Sequence, residues 1–406
     1  MNGEALSGLK VVEYAHSISG PYCGKLLADL GAEVIKVEKP GSGEKARGLG
    51  PFPRDIPHPE KSGLFLYLNA NKLGVTLNLD NATGIEIFRK LVKQADVVIE
   101  NNPPGEMERL GLDYDSLHKI NPAAVVTSIT LFGQTGPYRD YKGCDLICLH
   151  MGGEAYGNPQ CGVDDIEKQP PLKPPGHAGD FLAGLMGATC TMSAVIARQA
   201  TGTGQHVDLS EQEAIVWILT HELGRYVYGG TPMYREKTKK TGIRDEYFPC
   251  KDGYFLPITM TEAACAGIFD MIGYPDWTNT EIYDSALTWR ENLDILSPKI
   301  AEWTRERTVD DVLREAQARR IPCSPVPSAE EVFNSEQLAA RDFYVEIDHK
   351  EAGKLKYPGA PSKLTGTPWR VKRPAPLLGE HNEQVYCQML GYTKQDLAKM
   401  NQDGVI

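Results

Sequence analysis

Short apolar and β-branched runs alternate with amphipathic stretches through the first half of the chain, and Gly, Pro or Asn separates most of them. Lys10–Tyr14 and Glu33–Val37 read as strands. Between them Pro21 suits the first turn of a helix over Tyr22–Leu30, with Gly31 as its stop. The alternation continues with strands over Gly74–Leu79, Val97–Glu100, Ala124–Thr130 and Gln205–Leu209. Helices fall over Thr83–Gln94 and Tyr114–Ile120, with a short one carrying Arg109. Strands that alternate with helices predict a doubly wound α/β domain, a parallel sheet and right-handed crossovers. Ligands in such domains bind beyond the carboxyl ends of the strands, where His16–Ser19, Lys39 and Asn101–Asn102 fall.

From Phe132 to Gly179 the periodicity is lost while apolar residues persist, which predicts a functional loop rather than a disordered one. It ends in Pro174-Pro175-Gly176-His177-Ala178-Gly179-Asp180, after which no charged residue appears until Arg198. Phe181, Leu182, Leu185, Met186, Val195 and Ile196 give an apolar helix with no clear polar face, a pattern that predicts burial. Asp180 stands where an N-cap belongs. It is equally placed to be a carboxylate nucleophile, held ionised by backbone amides and reached past Gly179 by a bulky substrate. The local pattern leaves both roles open.

Further on, Ser210 with Glu213 in capping-box position starts a helix running to about Tyr228. Gly229–Lys240 reads as a basic linker. Tyr247–Cys250 and Tyr254–Ile258 flank Asp252-Gly253, a hairpin signal. Helical patterns over Glu262–Ile272, Arg290–Arg305 and Asp310–Arg319 complete the picture of a smaller α+β domain. Ile321–Pro327 reads as a rigid connector, Ser328 with Glu331 starts another helix, and a last helix ends near Met400.

Charge and composition narrow the function. A formal net charge of -11 argues against nucleic acid and anionic membranes as partners, though not against a local basic pocket. Nine cysteines without a Cys-x-x-Cys pair predict reduced thiols and a cytoplasmic protein. Met1-Asn2-Gly3-Glu4 does not start a signal peptide, and no uncharged run is apolar enough to span a bilayer. Glu38, ending the second strand, invites a dinucleotide reading, but no Gly-x-Gly-x-x-Gly loop follows Tyr14, so NAD is rejected. The loop Lys39–Gly48 gathers Lys39, Lys45 and Arg47, either as solvated surface or as one wall of a phosphate site that is not a P-loop. His16 either packs the first turn or lines a ligand site.

With these stretches located, the chain resembles the family III CoA-transferases. The resemblance spans nearly the whole sequence. It rests on Leu9–Glu13 through Gly20-Pro21, Gly31–Glu38, Gly41-Ser42-Gly43, Val98–Asn101 and Arg109-Leu110-Gly111. It continues through Gly179-Asp180, Gly204-Gln205, Ile321-Pro322-Cys323 and Pro376–His381. It implies a Rossmann-like large domain over about 1–225, completed by 330–406, and a small α+β domain over 226–325. Residues 326–406 would be the linker and C-terminal return. Two chains would interlock, as a homodimer or as a heteromer with a homologous subunit.

The resemblance also implies chemistry. The aspartate matching Asp180 attacks an acyl-CoA, forming a mixed anhydride and then an aspartyl-CoA thioester, and a free carboxylic acid is the acceptor. Acyl-CoA is a substrate; no metal and no permanently bound cofactor are expected. The implied CoA contacts are His16, Ile18, Ser19, Lys39, Leu77-Asn78-Leu79, Asn101, Asn102, Arg109 and Gly143-Cys144-Asp145. Ile18 replaces a glutamine of the formyl-CoA branch, which argues against formyl or oxalyl groups. The chain resembles succinyl-CoA-dependent members, with benzylsuccinate as an acceptor. Related racemases carry a histidine where Cys144 stands, so that alternative is weakened. A CoA-binding subunit of a heteromeric transferase is the other alternative. Lys239–Ile243 matches poorly the Gly-rich lid of the family, and Tyr226, Tyr228 and Tyr234 would face either an aromatic acyl group or an interface.

Overall fold

Six parallel strands organise the first part of the chain in the computed structural model, which describes residues 3–159, 165–231, 247–259, 261–278, 288–289 and 292–406. They are β1 (Lys10–Tyr14), β2 (Glu33–Glu38), β3 (Leu73–Thr76), β4 (Val97–Glu100), β5 (Val125–Thr130) and β6 (His206–Ser210). Their spatial order is β3-β2-β1-β4-β5-β6, the doubly wound arrangement expected. Val12 pairs with Ile35 on one side and Val98 on the other, so β1 lies at the centre.

Helices cover both faces: α1 (Ser19–Asp29), α2 (Gly63–Asn69), α3 (Ala82–Val92), α4 (Glu106–Leu110) and α5 (Tyr114–Ile120). They continue as α6 (Asp145–Met151), α7 (Ala178–Thr201), α8 (Glu211–Ile218) and α9 (Thr220–Gly229). Alternate strand residues feed two cores. Val11, Val97 and Ile99 pack with Cys23 and Leu27 of α1 and Ala183 and Val195 of α7. Val12, Val98 and Val126 pack with Ile87, Phe88 and Leu117 and with Tyr386, Met400 and Val405 from the end of the chain. Burial on both faces explains why these strands read as continuous apolar runs. The C-terminal return is pinned by the Tyr386 hydroxyl donating to Thr76 O at 2.7 Å and the Asn78 amide donating to Val405 O at 2.8 Å.

Helix α7 approaches α1 closely because Gly184 carries no side chain: a Cβ there would lie 2.6 Å from Ser19 O. Contrary to expectation, α7 is not buried all round, since Leu185 and Ile196 are exposed. By length (24 residues) and composition alone it meets the measure of a bilayer span, where the sequence reading found no such run. Its glycine face nevertheless packs on α1 and β5, so α7 is a core helix.

Contacts divide the chain into two compact units, one of Met1–Tyr156, Lys173–Met233 and Phe343–Ile406, the other of Gly157–Leu172 and Tyr234–Asp342. The second unit holds a three-stranded antiparallel sheet of Phe248–Pro249, Tyr254–Pro257 and Cys323–Pro325. The segment read as a rigid connector is thus partly a strand, with Ser324 opposite Leu256. Helices Glu262–Ile272, Leu293–Arg305 and Val309–Ala318 bury Phe269, Ile300 and Val312 with Trp289.

Three other expectations change. The 132–179 stretch contains α6. The helix from Ser210 to Tyr228 is two helices, broken at Leu219 where ψ reaches 44°. Asp180 is not an N-cap but the third residue of α7, with His177 at the cap position. Tyr234, the Lys239–Ile243 segment, much of the 229–240 linker and residues 290–291 lie outside the described residues.

Candidate active site

A cavity of about 650 Å3 opens at the carboxyl ends of the strands. Ser17 and Ser19 reach it from the end of β1, Asn101 and Asn102 from β4, Thr130 and Leu131 from β5, and Glu211 from β6. Gly143, Cys144, Asp145 and Asp180 complete one wall. This is where a doubly wound sheet leaves a crevice between diverging connections.

The loop after β1 is held by buried polar groups. Lys36 Nζ donates to Glu13 Oε1 at 3.0 Å and to Ala15 O at 3.1 Å. The Ser17 amide donates to Glu44 Oε2 at 2.9 Å. Asn101 grips the same loop: its Oδ1 accepts the His16 amide at 2.7 Å, and its Nδ2 donates to His16 O at 2.8 Å and Ser19 Oγ at 3.1 Å. Ser17 is thereby kept at φ 60°, a conformation that is unfavourable for a residue with a Cβ and that clusters at ligand sites. Asn102, 4% exposed, uses its amide on Tyr14 O and Glu100. Burial, then the Lys36 charge, pushes His16 down to about 4, so its ring is neutral at physiological pH.

Asp145, at the start of α6, organises the acidic wall. Its Oδ1 accepts the amide of Gly179 at 2.8 Å and of Asp180 at 3.2 Å, and its Oδ2 pairs with Lys173 at 3.1 Å. Contrary to the expectation from sequence, the first amides of α7 serve Asp145 and do not hold Asp180 ionised. Asp180, its side chain 18% exposed, lies 3.4 Å from His177 Nδ1. Burial, then the Asp145 charge, raises Asp180 to about 6. Glu211, 2% exposed, is raised further, to about 9, by burial and then by Asp180 and Asp145. Burial beside two other acids thus favours the protonated form of Glu211.

Glu211 and Lys173 were not foreseen. Glu211 directly follows the capping Ser210, where an acid reads as an exposed first-turn residue. Only the meeting of β6 with α6 and α7 buries it. Nothing in the sequence around Lys173 marks it as a partner of Asp145.

Other expected residues lie apart from this cavity. Ile18, Leu77 and Leu79 are buried core side chains. Asn78 donates to Gly404 O at 3.1 Å. Lys39 and Arg109 both pair with Asp80, at 3.3 and 3.2 Å, and Arg109 also grips Glu106. Arg47 of the basic loop is buried against Glu38 and Glu60, at 2.7 and 2.6 Å, which leaves it no part in a phosphate site.

The fold is doubly wound, and an acid of raised proton affinity lines a roomy crevice at the carboxyl ends of its strands. The sequence model of CoA-transferase family III matches residues 6–382, and the chain belongs to that family and is a CoA-transferase. It is 31% identical to a formyl-CoA:oxalate CoA-transferase of Rhodopseudomonas palustris, over 99% of this chain and 97% of that protein. It is 31% identical to a succinyl-CoA--L-malate CoA-transferase beta subunit of Chloroflexus aurantiacus, over 99% of this chain and 98% of that protein. Among solved structures, a CAIB/BAIF family protein from Brucella suis superposes with a TM-score of 0.83 at 30% identity, covering 95% of this chain and 99% of that one.

Proposed function

We propose that this CoA-transferase carries acyl and CoA groups in turn on Asp180. The observation supporting this reading is the position of its carboxylate, facing the cavity and raised to about 6. Such a group remains largely ionised at neutral pH and is a stronger base than an ordinary carboxylate, hence a better nucleophile. An Asp180 oxygen attacks the donor thioester carbonyl, the C–S bond breaks, and CoA leaves as the thiolate with a mixed anhydride behind it. The thiolate attacks the Asp180 carbonyl and expels the donor carboxylate, leaving an aspartyl-CoA thioester. The acceptor carboxylate attacks that thioester, CoA leaves again, and its attack on the acceptor side of the new anhydride releases the product and the free Asp180 carboxylate. No water, oxidant or net proton is consumed.

Succinyl-CoA is the donor we favour, and a dicarboxylate of the benzylsuccinate type the acceptor. One relative is named for succinyl-CoA and L-malate, and another, 30% identical and from Agrobacterium fabrum, for succinate and glutarate. Lys45, Arg139 and Lys142 line the cavity and suit a second carboxylate, while Tyr141 offers an aromatic surface. Lys39 and Arg109 would meet the CoA phosphates, His16 would back the nucleotide, and the Leu77-Asn78-Leu79 segment, whose leucines are core side chains, would do so through its backbone. A second homologous chain, the same or different, would interlock with this one. Support comes from the apolar surface of Trp217 and Ile218 on α8 and Val227 and Tyr228 on α9, of which Tyr228 is 94% exposed. The described cysteines form no disulfide, in keeping with a cytoplasmic setting.

The test is to incubate the protein with succinyl-CoA and a panel of free acids and weigh the new thioesters. Hydroxylamine trapping during turnover should convert Asp180 to its hydroxamate. An unmodified Asp180 peptide while product accumulates would end this reading. Sedimentation should give twice the monomer mass.

A further inference from the structure

Three acids converge on Gly179, and only two have a basic side chain beside them. Asp145 is paired with Lys173 and Asp180 with His177. Among the described residues no cation pairs with Glu211, although it is 2% exposed and its Oε1 has no hydrogen-bond partner. A Cβ on Gly179 would fall 3.0 Å from Asp145 Oδ1 and 3.2 Å from Glu211 Oε1, so both side chains close over the same glycine. The groups facing Glu211 are Cys148 and Asp145 from α6 and Asp180 from α7. A third buried negative charge there would be uncompensated, and a carboxyl so placed keeps its proton.

Its backbone leaves it little freedom. Ser210 caps α8 by accepting the Glu213 amide at 3.2 Å, and the Gln212 amide donates to Leu131 O at 3.0 Å. Glu211 is fixed between these anchors, with its side chain directed to the acid pair. We propose that Glu211 is a positioning residue that acts as a neutral carboxylic acid, donating a hydrogen bond to the Asp180 carboxylate and, once Asp180 is acylated, to its carbonyl oxygen. In the first role it fixes which Asp180 oxygen is free to attack. In the second it draws electron density from the carbonyl that the CoA thiolate must attack, as a preorganised donor does in a dry site. The proton stays on Glu211 throughout, so no acid or base is consumed. This inference rests on the reading of Asp180 as the nucleophile.

The experiment compares wild type, Glu211→Ala, Glu211→Gln and Asp180→Ala in steady-state transfer between acyl-CoA and free acid across the pH range. Glu211→Ala should lower kcat about 100-fold, with KM for acyl-CoA within about threefold, because a transition-state donor is lost and substrate contacts are not. Glu211→Gln keeps an N–H donor and should recover to within about tenfold of wild type. Its alkaline fall in kcat should vanish, because an amide does not titrate. A Gln variant no better than Ala overturns the proposal, as does an Ala variant with wild-type kcat. If Glu211→Ala does not fold, the alkaline limb of Glu211→Gln decides, and its persistence overturns the proposal. If Asp180→Ala is as active as wild type, the nucleophile reading fails. If it is inactive while Glu211→Ala is normal, only the role of Glu211 fails.

Discussion

Asp145 Oδ1 accepts the backbone amide of Asp180 at 3.2 Å, so the helix that presents one acid is capped by another. The amide of Gly179 goes to the same oxygen, at 2.8 Å. The first amides of the helix are thus taken by Asp145, and the Asp145 charge makes Asp180 harder to ionise.

Replacing Asp145 by Asn should separate these effects. The amide oxygen still caps α7, but the charge beside Asp180 is gone. Its proton affinity should fall, moving the acid limb of kcat from about 6 toward the ordinary carboxylate range. The weaker base should also lower kcat at neutral pH several-fold, on the order of 0.5–1 kcal/mol of barrier. A pH profile of kcat checks both, and an acid limb that stays in place would contradict the electrostatic argument.

Gly179→Ala tests the close fit of the acids. The new Cβ meets Asp145 Oδ1 at 3.0 Å and both Glu211 Oε1 and Ile215 Cδ1 at 3.2 Å. At least two buried side chains must move, which should cost about 1–3 kcal/mol of stability in urea unfolding. Transfer should fall by at least tenfold, because a small displacement of reacting groups is enough for that. Unchanged stability and activity would mean the site yields freely.

The two halves of this site were not equally readable. The strands are visible in the sequence as short apolar and β-branched runs, of which β3, β4 and β5 are buried throughout, and Gly31 and Pro21 mark the ends of α1 correctly to within a few residues. Asp180 stood out because it follows a Gly/Pro segment and precedes a long uncharged helix. Of the two roles left open for it, the cap falls away because the residue that takes the α7 amides, Asp145, lies 35 positions earlier in sequence. Helix α6 was missed for its shortness and its Gly-rich approach. Nothing in the sequence around Glu211, Lys36 and Lys72 marks them as buried, yet each is 2% exposed or less. Their burial depends on partners brought from other strands and helices, which local pattern does not encode.

Asp80 bridges the two cations proposed to meet the CoA phosphates, with Lys39 Nζ at 3.3 Å and Arg109 Nη2 at 3.2 Å. These pairs draw Asp80 below the usual carboxylate range, and all three side chains are more than half exposed. A phosphate must compete with that carboxylate. Asp80→Asn should therefore lower KM for acyl-CoA about twofold to fivefold and steepen its salt dependence, with kcat unchanged. Initial rates at low and moderate salt measure this. A higher KM in the variant would show that Asp80, and not the cations, belongs to the nucleotide site.

Glu211 also ties the site to stability. Its folded-state pKa, about 9, lies above the value near 4.3 of an unfolded glutamate, so folding takes up a proton at neutral pH. The stability it contributes is complete below about pH 4 and is lost steadily as pH rises through about 9. Asp180 acts with the same sign up to about 6. Glu211→Gln removes the first of these dependences while keeping the shape of the side chain. Its stability relative to wild type should therefore grow from about pH 5 to about pH 9, by on the order of a few kcal/mol. Urea midpoints at the two pH values measure the change. Parallel curves for the two proteins would mean that Glu211 is ionised in the folded enzyme, and that the acid proposed to hold Asp180 in place carries no proton to do so. A widening gap would show that this site is maintained at a cost to folding, as expected where chemistry requires an acid that packing alone would not select.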